Sequence, residues 1–381
     1  MPFNVGDQIG DYEITGTLGA GGMGQVYRVR HTISHRIEAM KVLATGRPMT
    51  DDAVGRFLRE IQLLASLHHP NITELHTAFR HNGELIMIME FVEGVTLSLK
   101  TTNSQLTFAA GLNYIQQVLS GLAHAHELGI IHRDIKPSNV MIGANDQVKL
   151  LDFGLALPKL GPEFTRTGII LGSLHYMSPE QVSGKPIDAR TDVYSVGITL
   201  YQMLTGKLPF NGGTDYDIAT DHLNSEPIAP ITINPNIPVR LSQIVLKSLA
   251  KSPDSRFHTA REFLDALNSL PTGETRTLTF STLPPTLPLA GQARYLYDPQ
   301  QNESARPSSS PGKKEIDVSV LDSVIRDLAF HVGPIAKVIV NRAAKQASTL
   351  DDLFAVLSTE ISTEKKRQDF LATRTKYSVT R

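Results

Sequence analysis

Hydrophobic and polar positions change their spacing along the chain in a way that divides it into units. Apolar and polar residues alternate over 12–30, on both sides of a glycine cluster, and this pattern predicts two β-strands. An apolar run over 84–92 predicts a further strand. Apolar residues recur at helical spacing over 106–128, and Leu- and Ile-rich helices are predicted from there to Leu267. The first part of the chain is therefore expected to be rich in strands, and the second part mainly helical.

The end of the chain shows two further changes of pattern. Residues 271–314 are rich in Pro, Ser, Thr and Gln and poor in apolar residues, so this segment is predicted to be a flexible linker. Helical spacing returns over 315–381 in three apolar stripes, and Ser348 to Asp351 match a capping box before the last stripe. We expect a small all-α module there, too small to be sturdy alone. It could pair with a copy of itself, with the preceding unit or with another protein.

The composition limits the class of protein and the kinds of site. The 381 residues are 41% hydrophobic, which is ordinary for a globular protein with a large core. The absence of cysteine excludes disulfides, thiolate zinc sites and a cysteine nucleophile, and it fits a reducing compartment. The net charge of −1 gives no broad basic field for nucleic acid or an anionic membrane. With no secretory signal over 1–10 and no apolar run near the ~20 residues of a membrane span, we expect a soluble, cytoplasmic protein.

Two short polar stretches carry the strongest chemical signal. The sequence from His132 to Asn139 reads HRDIKPSN and lies between apolar residues, so its polar groups are expected on a loop with buried anchors. Asp152 begins an Asp-Phe-Gly triplet that follows 13 residues after Asn139. Such a set suits phosphoryl transfer, because one carboxylate can orient a hydroxyl while an Asn and a second carboxylate hold magnesium on the phosphates of ATP.

The glycine cluster is a weaker signal by itself. Residues 19–26 follow the pattern GxGxxGxV, which lets backbone N–H groups come close to phosphates. A dinucleotide-binding fold or a plain hairpin turn would explain the cluster about as well. The stretch after Gly24 is predicted to be a strand and not a helix, which argues against a dinucleotide-binding unit.

Lys41 lies in the next predicted strand, between Met40 and Val42, where a buried ammonium group needs a partner. The expected partner is Glu60, on a helix that the apolar spacing predicts over 57–67. The alternative to this pair is that Lys41 extends to solvent from the edge of its strand and that Glu60 lies on a solvated face of its helix.

Taken together, the HRDxKxxN and DFG patterns, the glycine cluster and Ala39-Met40-Lys41 resemble the protein kinase family. Lys136 followed by Pro137 resembles the serine/threonine branch, and the strongest similarity is to bacterial Hanks-type (eukaryotic-like) serine/threonine kinases. The resemblance covers 12–270, about seven tenths of the chain. It implies an α+β, bilobal fold. The implied parts are a small β-rich lobe at 12–89, a hinge at 90–94 and a larger helical lobe at 95–270.

The resemblance also implies a role for each motif residue. Asp134 would orient the substrate hydroxyl, Lys136 would neutralise charge on the transferred phosphoryl group, and Lys41, paired with Glu60, would grip the phosphates of ATP. Asn139 and Asp152 would ligate Mg²⁺. The residues implied to bind ATP are Leu18, Gly19, Ala20, Gly21, Gly22, Met23, Gly24, Gln25, Val26, Ala39, Lys41, Glu60, Met89, Glu90, Val92 and Met141.

The stretch over 155–177 corresponds to the activation segment of the family. The resemblance implies that Arg133 is a buried cation, which a phosphate on Thr165 or Thr167 could neutralise, so we predict autophosphorylation there. The alternative is that both are ordinary loop threonines. The family also implies three supporting features. Ser173 would place a hydroxyl near Asp134, and Glu180 would form an ion pair with Arg256. The carboxylate of Asp192 would accept hydrogen bonds from backbone N–H groups of the loop that carries Asp134.

The tripeptide Thr-Arg-Thr occurs at 165–167, 275–277 and 373–375. If the first copy is modified, the same local sequence elsewhere could be modified too, at Thr275, Thr277, Thr373 or Thr375, and could serve as a docking site for a partner. A chance recurrence of three residues explains the pattern about as well.

Three functions remain open from the sequence. The first is an active ATP- and Mg²⁺-dependent kinase that acts on Ser and Thr of protein substrates. The second is an inactive kinase fold that binds nucleotide as a scaffold, although such proteins lack Lys41, Asp134 or Asp152, and all three are present. The third places the main role in 315–381, as a dimerisation or partner-docking adaptor.

Overall fold

The structure is a computed structural model. It describes residues 3–21, 24–43, 61–103, 106–153, 173–271, 350–359 and 364–374, with single positions and short pieces between 321 and 344.

A six-stranded antiparallel sheet forms the first part of the described chain. Its strands lie in the order β1-β2-β3-β4-β6-β5. Apolar side chains of this sheet, such as Ile14, Tyr27 and Met40, are buried in one cluster, as expected for a sheet with one face turned to a core. The strands are β1 (Gln8–Ile9), β2 (Tyr12–Gly21), β3 (Gly24–His31), β4 (Ile37–Leu43), β5 (Leu75–His81) and β6 (Glu84–Glu90).

Helices dominate the second part, together with a small sheet of β7 (Val95–Thr96), β8 (Val140–Ile142) and β9 (Val148–Leu150). Thr107 caps the long helix α2 by accepting a hydrogen bond from the backbone N–H of Ala110. The helices are α1 (Leu97–Asn103), α2 (Phe108–Glu127), α3 (Pro179–Val182), α4 (Ala189–Thr205), α5 (Asp215–Asn224), α6 (Pro230–Ile233), α7 (Val239–Ser248) and α8 (Ala260–Asn268).

Helix α4 is the centre of the helical part, because every residue from Thr191 to Thr205 is buried. It packs closely on α7 at Gly197, where a Cβ would lie only 2.2 Å from Ser248 Oγ. The helix ends at Gly206, whose left-handed φ of 70° suits glycine. The predicted apolar segment from Asp192 to Leu204 thus forms one buried helix that supports the loops around it.

Two further helices lie near the end of the chain, α9 (Leu350–Thr359) and α10 (Glu364–Ala372). The rings of Phe354 and Phe370 stack between them with centroids 5.0 Å apart. They belong to a buried cluster, called here the C-terminal cluster, formed by Val324, Ile325, Leu328, Ala336, Val340, Ala343, Leu353, Phe354, Leu357 and Phe370. Tyr216 of α5 packs against this cluster. Within the described part of the chain, no helix is long and apolar enough to cross a membrane.

Candidate active site

The carboxylate of Asp192 anchors the loop from His132 to Asn139. Asp192, fully buried near the start of α4, accepts hydrogen bonds of 2.8 Å from the backbone N–H groups of His132 and Arg133, as predicted. Nε2 of His126 also lies 2.8 Å from this carboxylate. Burial raises the pKa of Asp192, but these hydrogen bonds and the neighbouring histidines outweigh burial, so the pKa lies below its usual value. The loop is therefore held by a buried anion with protein donors.

The loop turns sharply at Arg133, whose φ of 69° lies in the left-handed region. The side-chain amide of Gln181 donates to the carbonyl oxygen of Arg133 at 2.8 Å. The backbone on both sides of the turn is thus fixed, with Asp192 holding the N–H groups and Gln181 holding the carbonyl. Such contacts can hold a conformation that costs on the order of 1–3 kcal/mol in isolation.

Asp134 is the centre of a network of short hydrogen bonds. Lys136 Nζ donates to Asp134 Oδ2 at 2.7 Å and to Ser173 Oγ at 2.7 Å. The Asn139 side-chain amide donates to the same Asp134 Oδ2 at 2.9 Å and to the Asp134 carbonyl at 2.8 Å. Ser173 thus lies near Asp134 as the sequence predicted, with Lys136 joining the two.

His132 connects this loop to the segment that carries Asp152. Its Nε2 lies 2.8 Å from the Leu151 carbonyl oxygen, and its ring centroid lies 4.6 Å from that of Phe153. Complete burial lowers the pKa of His132, although the nearby carboxylates raise it. Because a carbonyl oxygen can only accept, Nε2 of His132 carries the proton of this hydrogen bond.

Lys41 and Asp152 form an ion pair between the two parts of the fold, with Nζ 2.6 Å from Oδ1. Burial raises the pKa of Asp152, but the charge and hydrogen bond of Lys41 outweigh it, so the carboxylate is ionised well below neutral pH. The φ of Asp152 is 50°, so the chain also turns through the left-handed region here. The predicted partner of Lys41, Glu60, lies outside the described residues.

The residues present fit a magnesium ion. Asn139 uses its amide nitrogen toward Asp134, so the amide oxygen remains as a ligand atom. Asp152 supplies a carboxylate, and Mg²⁺ prefers oxygen ligands, usually one or two from the protein with the rest from water and phosphates. Among the described residues no group of three or more His, Cys, Asp and Glu could hold a metal by itself.

The predicted adenine-binding residues lie on facing strands. Val26 of β3 is opposite Lys41 of β4, and Ala39 of β4 is opposite Met89 of β6. Met141 is buried on β8, which belongs to the small sheet in the second part of the fold. A cavity of only about 30 Å³ lies behind Met89, bordered by Asp152 and Phe153 among others. Met89 borders this cavity, and its role in binding the base stays a prediction.

The glycine cluster joins two strands, as expected. Strands β2 and β3 pair as far as Gly21 opposite Gly24, with Gly19 opposite Val26 and Ala20 opposite Gln25. The residue after Gly24 begins a strand, which excludes the dinucleotide-binding arrangement. Leu18 is half-buried on β2, and the predicted binding residues Gly22 and Met23 lie outside the described residues.

The segment between the two parts contains an ion pair that the sequence analysis did not predict. Lys149 Nζ lies 2.7 Å from Glu90 Oε2, while the Glu90 backbone N–H donates to the Glu74 carbonyl. Val92 follows on the predicted hinge. At Gly94 a Cβ would lie 2.2 Å from the Ile142 carbonyl oxygen, so only glycine fits this close approach. No short motif signals Lys149, because the pair joins residues far apart in sequence.

The predicted pair of Glu180 and Arg256 is present and fully enclosed. Arg256 Nη1 and Nη2 donate to the two carboxylate oxygens at 2.8 and 2.9 Å, and Thr191 donates to Glu180 Oε1 at 2.8 Å. Burial raises the pKa of Glu180, but the hydrogen bonds and charge of Arg256 outweigh it, so the pKa is lowered. Thr165 and Thr167, predicted to be modified, lie outside the described residues.

The comparisons with known proteins agree with this geometry. The family model of the protein kinase domain matches residues 12–267, and a model described as a domain of unknown function (DUF8082) matches residues 319–377. The crystal structure of the Mycobacterium tuberculosis PknI kinase domain has a TM-score of 0.57 at 28% identity, covering 70% of this chain and 98% of that one. The predicted α+β, bilobal kinase fold is confirmed.

Two curated relatives show the same similarity in sequence. The chain is 38% identical over 260 residues to serine/threonine-protein kinase PrkC of Bacillus subtilis, covering 68% of this chain and 40% of that protein. It is 40% identical over 258 residues to serine/threonine-protein kinase PknB of Mycolicibacterium smegmatis, covering 66% and 41%. The aligned part thus spans about two fifths of these relatives' length. The chain belongs to the protein kinase family, and within it to the bacterial Hanks-type serine/threonine branch.

Proposed function

We propose that this chain is a serine/threonine protein kinase that transfers the γ-phosphoryl group of ATP to hydroxyl groups of protein substrates. The observation that carries the proposal is the convergence of Lys41, Asp134, Lys136, Asn139 and Asp152 into two linked networks. His132 joins the networks through the Leu151 carbonyl. The relatives PrkC and PknB are named serine/threonine-protein kinases, which supports the same activity here.

Asp134 is proposed to orient the substrate hydroxyl and to receive its proton. Lys136 and Asn139 both donate to Oδ2 of this carboxylate, so we assign Oδ1 to the incoming hydroxyl. The two donors fix the orientation of the carboxylate plane. Lys136 is proposed to stabilise the charge on the phosphoryl group, since its ammonium group lies between Asp134 and Ser173.

Lys41 and Asp152 are proposed to hold the nucleotide. The ammonium group of Lys41 would bind the α- and β-phosphates, and Glu60 is proposed to position it. Asp152 and the side-chain oxygen of Asn139 would hold Mg²⁺, which when bound neutralises charge on the phosphates. The backbones of Glu90 and Val92 and the side chains of the facing strands would bind the adenine.

The remaining sequence predictions complete the proposal. We divide the chain into a kinase domain at 12–270, a linker at 271–314 and a helical module at 315–381. Thr165 and Thr167 are proposed sites of autophosphorylation. The composition, without cysteine and without a basic field, supports action in the cytoplasm on protein and not on nucleic acid.

Incubation of the full chain with labelled ATP, Mg²⁺ and a short Ser- and Thr-containing peptide tests the activity. Wild type is expected to label the peptide, and Lys41→Met to lose on the order of 10²-fold or more of the rate, because the phosphates lose their cation. A circular dichroism melt of both proteins serves as the control for folding. Equal labelling by wild type and Lys41→Met would contradict the proposal. So would the absence of labelling by folded wild type, if it is seen both with and without prior phosphorylation of the protein.

A further inference from the structure

Tyr216 is a kinase-domain residue that packs against the C-terminal cluster. It lies in the first turn of α5, whose residues Ile218, Ala219 and His222 face the kinase core. At 100° per residue Tyr216 lies on the flank of the helix, on the same side as Thr220 and Leu223. Helix α5 therefore contacts the kinase core with one face and the C-terminal cluster with its flank.

The inner face of α5 supports the part of the active site where a protein substrate must bind. Ile218 and Ala219 form a buried cluster with Leu174, against which Met177 and Val182 also pack. Leu174 directly follows Ser173, whose hydroxyl accepts from Lys136, the partner of Asp134. Helix α5 is thus next to the segment that borders the proposed catalytic carboxylate.

We propose that residues 321–374 dock in cis on the flank of α5 through Tyr216, and that a folded protein substrate competes with this module for the surface beside Ser173. The second half of this inference rests on the proposed kinase function, whereas the docking does not. Because α5 packs on Leu174, which follows Ser173, we expect the docked module to lie beside the protein-substrate surface and to leave the nucleotide cleft open.

Docking within one chain follows from the length of the connecting segment. About 50 residues separate the end of α8 from Leu321, and a flexible chain of that length has an average end-to-end distance of roughly 40 Å. A module on such a tether meets its own α5 at an effective concentration of about a millimolar, so a modest interface suffices. A module of this size also has a small core, so packing on Tyr216 is expected to stabilise it.

Competition with substrate follows from the area that a protein substrate covers. A protein complex of ordinary size buries about 800 Å² on each partner, far more than the surface of one hydroxyl-bearing residue. A folded substrate whose hydroxyl reaches Asp134 would therefore extend over α5. A short peptide covers less and would not meet the module.

Hydrogen exchange of the full chain tests the docking without any need for activity. Tyr216→Ala is expected to speed exchange in α9 and α10 by about fivefold, since truncation of a partly buried Tyr that packs on an interface commonly weakens the interface by about that factor. The control is Val239→Ala, which shortens an apolar side chain on α7 at a position that is 60% exposed and outside the C-terminal cluster. Equal exchange in wild type and Tyr216→Ala would overturn the docking.

The same exchange measured over roughly a hundredfold range of chain concentration tests docking in cis. Protection of α9 and α10 that does not change with concentration supports one chain folding on itself. Protection that rises with concentration overturns docking in cis and assigns the contact to a second copy.

Phosphoryl transfer to two acceptors tests the competition. The acceptors are the full chain carrying Asp134→Asn, which is folded and cannot label itself by the proposed mechanism, and a short Ser- and Thr-containing peptide. Tyr216→Ala is expected to raise kcat/KM about three- to tenfold for the protein acceptor and to leave the peptide value unchanged, whereas Val239→Ala changes neither. Equal changes for both acceptors, or no change, would overturn the competition. Failure of wild type to label either acceptor would instead count against the kinase function, with the docking still decided by exchange.

Discussion

Two groups of charged residues in the kinase domain are built in different ways. The pair of Glu180 and Arg256 has side chains that are 6% and 0% exposed, and Arg256 also donates to three backbone carbonyl groups. In the pair of Lys41 and Asp152 the side chains are 5% and 33% exposed, so this pair reaches solvent through Asp152, and the pair of Lys136 and Asp134 is 21% and 17% exposed. The first pair is enclosed by protein, whereas the other two border space that solvent reaches.

The difference indicates how the two groups are used. A buried ion pair that is saturated by protein donors and acceptors has nothing left for a ligand, so its loss should affect stability first. The charged side chains of the candidate active site pair with one another at short distance. We expect the phosphates, the metal ion and the substrate hydroxyl to replace part of these contacts when they bind. Their loss should affect the reaction first and leave the fold nearly intact.

The largest expected effect is on the reaction. Asp134→Asn is expected to lower the phosphoryl-transfer rate by about 10³-fold, because general base catalysis by a positioned side chain contributes about 10²–10⁴-fold. The free energy of unfolding should change by less than about 1 kcal/mol, because Asn keeps an oxygen for Lys136. Steady-state labelling and urea unfolding measure the two quantities. A large loss of unfolding free energy in Asp134→Asn would show that Asp134, like Glu180 and Arg256, mainly stabilises the fold.

The next effect is on stability. Arg256→Met is expected to lower the free energy of unfolding by about 3–5 kcal/mol, because it leaves the buried carboxylate of Glu180 without its cation. Urea unfolding measures the loss. The control is Glu13→Gln, which removes the exposed pair with Arg30 and should cost less than about 1 kcal/mol. Losses of equal size in the two variants would contradict the distinction drawn between buried and exposed pairs.

A smaller effect concerns the pH dependence of stability. Burial, and next the charge of Lys251, lower the pKa of His222 to about 3, and its Nδ1 lies 2.9 Å from the Tyr194 hydroxyl. The unfolded chain protonates this histidine near its ordinary pKa of 6.5, so the folded state loses stability as pH falls from about 6.5 toward 3. The loss between pH 7 and pH 5 should be about 2 kcal/mol at most.

His222→Asn isolates this contribution, because the Asn oxygen can accept from Tyr194 and carries no titrating proton. Urea unfolding at pH 7 and pH 5 should show a shallower dependence on pH in the variant than in wild type. An unchanged slope would mean that other groups, such as His132 or His175, whose pKa values burial also lowers, carry the dependence.

Much of the fold could be predicted, because strands and helices here follow local spacing. The hairpin around the glycine cluster and the helical character of α4 followed from the apolar patterns, whereas the anchoring role of Asp192 was implied by the family resemblance. The pair of Glu180 and Arg256 was predicted through family resemblance and is present. Helical residues end at 65 and Ser66 lies in a turn, so this helix ends slightly before the predicted end at 67.

Other contacts could not be predicted, because they depend on which distant segments meet. The pair of Lys41 with Asp152 joins the two parts of the fold, and the pair of Glu90 with Lys149 joins the hinge to β9. Neither charge has a local signature that names its partner. Tyr216 likewise reads as an ordinary helix residue until its packing on the C-terminal cluster is seen. Of the repeated tripeptides, only Thr373 and Arg374 lie among the described residues, and the Thr373 hydroxyl donates to the Phe370 carbonyl.

The ion pair of Lys41 and Asp152 spans 111 positions of sequence. A ribosome that adds 5–20 residues per second needs roughly 6–22 s to synthesise that interval. The strand that carries Lys41 therefore emerges well before its carboxylate partner exists. A nascent chain cannot assemble the nucleotide site during this time, so the proposed activity would begin only after the helical lobe has been translated at least as far as Asp152.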